Sequence, residues 1–142
     1  MRKLLVAIMA VFMFVGCGES ASKAEYEIVK NTATKFINHL YKDDAKSAVK
    51  MIYLSKTDEK DANVRNAIDD KIEALIDEQK EQVKKRGGFK SSKVVFYDIY
   101  YKYDVPTEAS VSVEVEFKDG TSKADMLSLV KNDKNEWKIK LY

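Results

Sequence analysis

Few side chains in this 142-residue chain are equipped for chemistry, and it holds one histidine and one cysteine. His39 can serve as a base near neutral pH, because an imidazole titrates there. It lies beside Leu40, one step off an apolar helical stripe, with no partner in the sequence to orient it. The plainer reading is a boundary histidine on a helix. Asp98 stands between Tyr97 and Ile99 in an otherwise apolar strand. Enclosed in apolar surroundings, such a carboxyl rises toward neutral pH and can take a proton. Alternation groups Asp98 with Phe96, Tyr100 and Lys102, and groups Val95, Tyr97, Ile99 and Tyr101 on the other face. Either face can be the inner one, and Lys102 is a plain ion-pair partner for Asp98. Tyr97, Tyr100, Tyr101 and Tyr103 form an aromatic cluster. A tyrosine offers a flat apolar body and one hydrogen-bonding tip, which suits a ligand pocket and equally suits sheet packing. There is no Gly-rich phosphate loop, no Ser-His-Asp set and no metal-ligand spacing. No catalytic residue, metal or cofactor is expected, and an enzyme built on Asp98 or His39 is the weakest of three readings.

Cys17 has a more definite setting. Arg2 and Lys3 precede an uncharged run, residues 4–15, and Gly16 and Cys17 follow it. A basic start, a short apolar core and a small residue make an export signal; a spanning helix needs about 20 apolar residues. Phe14-Val15-Gly16-Cys17 resembles a bacterial lipobox, with Phe14 where Leu is usual. The resemblance implies that residues 1–16 are cut away as a signal peptide. The Cys17 thiol then receives a diacylglyceryl group, and the new amino terminus is often acylated as well. Two or more chains anchor stably, at about 0.8 kcal/mol per buried CH₂. An ordinary secretory signal with a chance cysteine is the alternative. Residues 17–23, small and polar, read as a lipidated tether. Gly18 replaces the Asp that retains such lipoproteins at an inner membrane. The expected location is therefore the bacterial cell envelope, at an outer membrane facing the periplasm where the host has one.

Composition narrows the partners. The 25 basic and 23 acidic residues leave a formal charge of +2, and Arg2 and Lys3 depart with the signal. A neutral mature chain argues against nucleic acid and against strong attraction to anionic lipid. With Cys17 lipidated no thiol remains for a disulfide, so the core alone must hold the domain.

From residue 24 the pattern is helical. Tyr26, Val29, Ala33, Phe36, Ile37, Leu40 and Tyr41 recur at spacings of three and four. Asp43 and Asp44 stop this stripe and can cap a second helix bearing Ala45, Ala48, Val49 and Ile52. A third, charge-rich helix carries Val64, Ile68, Ile72, Leu75, Ile76 and Val83 and ends at Gly87-Gly88. The period then changes to two. Residues 94–103 read as a strand ended by Val105-Pro106, and residues 108–118 alternate strictly. Asp119-Gly120 reads as a two-residue hairpin turn into residues 121–131, and residues 136–142 form the last strand. That register sets Glu116 against Lys123 on the polar face. It also places Leu127 and Leu129 there, opposite Ser112 and Ser110, as candidate interface residues.

Helices followed by antiparallel strands make an α+β pattern. Residues 41–48, Tyr-Lys-Asp-Asp-Ala-Lys-Ser-Ala, and the closing segments Lys118-Asp119-Gly120-Thr121, Leu129-Val130-Lys131 and Glu136-Trp137-Lys138-Ile139 resemble small nuclear transport factor 2-like domains. More narrowly, the layout resembles a lipoprotein family of unknown function, some members of which carry a provisional lumazine-binding label. The resemblance spans residues 24–142. It implies N-terminal helices packed on a curved antiparallel sheet, a cone with a pocket at its open end. Phe36, Tyr97, Asp98 and Tyr101 are then the candidate pocket residues. The first functional expectation is a non-enzymatic module, anchored to the bilayer through acylated Cys17, that binds a small or extended apolar-aromatic ligand. The second is a structural lipoprotein that forms a homodimer or docks an envelope protein through Leu127 and Leu129.

Overall fold

The computed structural model describes residues 17–141, with side chains from residue 22 onward. The expected signal peptide, residues 1–16, lies outside the described residues, and so does the Cys17 side chain. Helix α1 runs Cys17–Tyr41. Its backbone is already helical across residues 18–23, where a tether was expected. Ala21, Lys23, Ala24 and Glu25 are good helix formers, and no glycine or proline interrupts them. Val29, Ala33, Phe36, Ile37, Leu40 and Tyr41 are all buried, as the stripe requires.

Asp43 takes a left-handed conformation with φ 60, and Asp44 caps the short helix α2, Ala45–Val49, by accepting the Ser47 amide at 3.1 Å. A 3₁₀ turn at Asp58–Lys60 leads to α3, Ala62–Lys85, which starts on the Asp61 cap. Ile68, Ile72, Ile76 and Gln79 are its buried residues. Gly87, at φ 79, ends the helix and turns the chain into the sheet.

Four antiparallel strands follow as a meander in chain order: β1 Phe89–Lys102, β2 Val105–Phe117, β3 Ser122–Lys131 and β4 Trp137–Lys140. Their inner residues Ala109, Val111, Val113, Val115, Phe117, Leu129, Trp137 and Ile139 join the helix stripes in one core. The α+β expectation holds, with helices packed on one face of a curved open sheet.

The first two hairpin turns differ from the sequence reading. Val105-Pro106 does not end the first strand; it begins the second. Lys102 pairs with Val105, and Tyr103 and Asp104 form a two-residue turn with φ 50 and 61. Positive φ at both positions is the type I′ geometry that suits the strand twist.

At the next hairpin the Phe117 amide donates to the Thr121 carbonyl at 2.9 Å, closing a three-residue loop of Lys118, Asp119 and Gly120. Gly120 has φ 86, and Asp119 accepts from both the amide and the hydroxyl of Thr121. The loop is also tied down from outside. The Lys118 amide donates to the Gly88 carbonyl at 2.9 Å, and that of Asp119 to the Arg86 carbonyl at 3.1 Å. The extra loop residue shifts the register by one and turns every β3 side chain to the opposite face. Glu116 pairs with Ser122, Val111 with Leu127 and Ala109 with Leu129. The placement of Leu127 and Leu129 on an outer interface is thereby overturned: Leu129 is 1% exposed, and Leu127 packs against the core.

Candidate functional site

The register that draws the leucines inward also turns Lys123 and Asp125 toward the helices. Asp125 pairs across the sheet with Val113, and Lys123 with Val115, both fully buried. The Tyr41 hydroxyl donates to Asp125 Oδ2 at 3.0 Å. Lys123 Nζ lies 3.2 Å from Asp125 Oδ1 and 3.5 Å from Gln79 Oε1. One strand, α1 and α3 thus meet at a single polar knot. Burial, then the Asp125 carboxylate, push the Tyr41 phenol well above its ordinary value, so it stays a protonated donor.

A second knot joins the start of α1 to the last hairpin. Glu25 accepts from Lys131 Nζ at 2.7 Å and from the Trp137 indole at 2.8 Å. Burial alone pushes the Glu25 carboxyl up, but these hydrogen bonds together outweigh it and hold it below its ordinary value. Each knot pairs its polar atoms with fixed partners across two or three elements. That is the arrangement of a structural brace.

The four expected pocket residues do not converge. Phe36 is 1% exposed, inside the filled core. Tyr97 faces inward opposite Val111 and stacks on Tyr26, ring centroids 4.1 Å apart. Tyr101 follows Tyr97 on that face by alternation and is half exposed. Asp98 pairs with Ser110 on the outer face and is exposed. His39 lies at the end of α1 with Nδ1 3.3 Å from Asp44 Oδ2, both partly exposed. That contact joins the end of α1 to the cap of α2.

The distal half of β1 stands out. Val95, Phe96, Tyr97, Tyr100 and Tyr101 are each between 44% and 55% exposed, and Tyr103 at the tip is 90% exposed. On the outer side Tyr100 borders a groove of about 280 Å³ with Glu108, Ser110, Ser128 and Lys140. A larger groove, about 560 Å³, lies between the loop after α2 and the β3–β4 turn; its lining surface is about equally polar and apolar, and Lys56 and Asp133 pair at 3.1 Å on its walls.

The sheet edges differ too. Along β4 the Tyr53 amide donates to the Ile139 carbonyl at 2.7 Å and the Ile139 amide to the Met51 carbonyl at 2.8 Å, so that edge is occupied. β1 is the other edge, and among the described residues no strand pairs with its outer side. The inward turn of Lys123 and Asp125 escaped the sequence reading. A signal was present: two leucines assigned to a polar face opposite serines are better satisfied one residue over, opposite Val111 and Ala109.

The family described as a domain of unknown function, DUF4878, matches residues 15–140, and the chain belongs to it. No curated protein matches. Among solved structures, a Campylobacter jejuni protein provisionally named an NTF2-like transpeptidase is similar, with TM-score 0.67 and 24% identity. The match covers 79% of this chain and 96% of that one. The likeness carries the fold: helices on a curved antiparallel sheet of the nuclear transport factor 2-like kind.

Proposed function

We propose that this chain is a lipid-anchored, non-catalytic protein of the bacterial envelope whose domain binds an extended apolar-aromatic polypeptide segment along the edge of β1. The observation that carries the reading is the unpaired edge with aromatic side chains on both faces. A segment that adds as a strand satisfies the open backbone groups, and its alternate side chains meet Tyr97 and Tyr101 on one face and Phe96 and Tyr100 on the other. Natural sheets usually blunt such an edge with charge, proline or bulges; between its exposed aromatics this stretch carries Asp98 as its one charge, with register shifts at its ends, between Val94 and Phe96 and between Tyr100 and Tyr101. The ligand site therefore moves from the cone mouth to the strand. The anchor rests on the setting of Cys17 behind its basic and apolar run.

The non-catalytic reading rests on the ionisable groups. His39 and Glu25 are taken up by structural partners, and the one cysteine stands at the lipobox-like position. The test is a titration of the detergent-solubilised protein with ten-residue apolar-aromatic peptides, each also made with alternate backbone amides methylated. Binding should fall at least about tenfold on Tyr97→Ala with Tyr101→Ala, the loss typical of interface hot spots. It should also fall when one of the two alternate sets of amides is methylated, and not the other. Equal sensitivity to both sets, or binding that survives the double substitution, overturns strand addition.

A further inference from the structure

Helix α1 and strand β1 run antiparallel, and three contacts fix their alignment. Tyr41 stacks near Phe89 at 5.5 Å between centroids, the Ser92 hydroxyl donates to Asn38 at 2.7 Å, and Tyr26 stacks on Tyr97 at 4.1 Å. Beyond the last contact both elements continue in the same direction. From Tyr26 back to Cys17 the helix advances about 13 Å, at about 1.5 Å per residue. From Tyr97 on to Tyr101 the strand advances about 13 Å, at about 3.3 Å per residue. The start of α1 is therefore level with Tyr101, and the hairpin tip of Lys102, Tyr103, Asp104 and Val105 reaches just past it. The acylation position and the most exposed aromatic hairpin lie at the same end of the molecule.

We propose that this tip, with Tyr103 and Val105, enters the headgroup layer of the bilayer that holds acylated Cys17, so that β1 stands upright on the membrane. The inference rests on the lipid-anchor reading above. Tyr103 is 90% exposed and Val105 54%, and neither belongs to the core or to the side chains packed against it. Tyrosine suits the interface because its ring sits among acyl carbonyls while its hydroxyl stays wet. Lys102 lies 6.0 Å from the Tyr103 ring, where its stem can follow the ring inward and its ammonium can reach phosphate. Asp104 offsets that charge, so the attraction is apolar and aromatic and does not depend on anionic lipid. The unfavourable left-handed backbone at Tyr103 is also accounted for: the turn presents a large aromatic where asparagine or glycine would be easier.

The test places a nitroxide at the tip. Tyr103→Cys, Val105→Cys and, at the opposite end, Asp119→Cys are each labelled in the full processed protein, whose Cys17 thiol is blocked by lipid. Each is reconstituted in vesicles of phosphatidylethanolamine with phosphatidylglycerol and then in phosphatidylcholine alone. Labels at 103 and 105 should be several-fold more accessible to oxygen than to a water-soluble nickel relaxer, in both lipid mixtures. The label at 119 should show the reverse. Flotation of the vesicles and the mass of the Cys17 peptide report the anchor separately. If the protein floats with an acylated Cys17 and all three labels stay aqueous, the tip inference falls while the anchor stands. If Cys17 carries no lipid and the protein does not float, both fall. Insertion only with phosphatidylglycerol overturns the apolar mechanism.

Discussion

At one end of the β1–β2 ribbon Phe117 lies fully buried, with the Tyr41 ring 6.0 Å away and the Arg86 guanidinium 4.9 Å over its face. At the other end Tyr101 and Tyr103 stand largely in solvent. Both ends are β-branched and aromatic, and strand propensity does not tell them apart. What differs is the cover. The C-terminal halves of α1 and α3 converge on the Phe117 end, where Gly88 and Arg86 also bind the loop backbone. The first half of α1 approaches the other end through the Tyr26–Tyr97 stack. The sealed end carries the stability. The open end leaves its aromatic side chains exposed.

The largest expected effect lies at the sealed end. Phe117→Ala should cost about 3–5 kcal/mol, the usual range for emptying a buried aromatic site. Tyr101→Ala, half exposed, should stay within about 0.5 kcal/mol. Urea unfolding of the two variants reads the contrast directly, and equal losses would break it. A smaller effect is expected where the start of α1 is braced to the last hairpin. Glu25→Gln removes a charge-assisted pair and should cost about 1.5–3 kcal/mol at neutral pH. Because the folded carboxyl lies below its ordinary value of 4.5, its contribution is complete above that pH and fades as pH falls through the folded value. The gap between parent and Glu25→Gln in urea should therefore shrink in acid; a gap that is constant down to pH 3 would remove the ionic role. The smallest effect belongs to the open tip. Tyr103→Asn relieves an unfavourable left-handed tyrosine and should raise stability by about 0.5 kcal/mol in a thermal melt. A loss there would mean that the Tyr103 ring supports the fold.

These contrasts also mark how far the chain could be read by eye. The α1 stripe, the α3 stripe at Ile68, Ile72 and Ile76, the Asp44 cap and the Gly87 stop were all legible, because each is set by neighbours within about one helical turn. The strict alternation of β2 was legible for the same local reason. The candidate site was not. Asp98, Tyr97 and Tyr101 are three near neighbours on one strand, and alternation separates Asp98 from the two tyrosines without saying which face the helices cover. Phe36 looked like a pocket residue and is sealed at 1% exposure, because the whole α1 stripe is pressed into the sheet.

The β3 register shows where local reading ends. Asp-Gly by itself favours a two-residue turn. Here the loop backbone is held by Arg86 and Gly88, residues far away in the chain, and Thr121 completes a three-residue loop instead. One residue of slip carried Leu129 from an imagined interface into the core and brought Asp125 under Tyr41. The sequence by itself determined the helices, most of the strands and the α+β order, since these depend on periodicity and on short-range chemistry. Only the tertiary structure decided which face of β3 is buried, which edge of the sheet lacks a partner strand among the described residues and that Tyr26 stacks on Tyr97. Each of those depends on distant segments meeting, and a free energy of a few kcal/mol spread over such contacts leaves no mark in any local pattern.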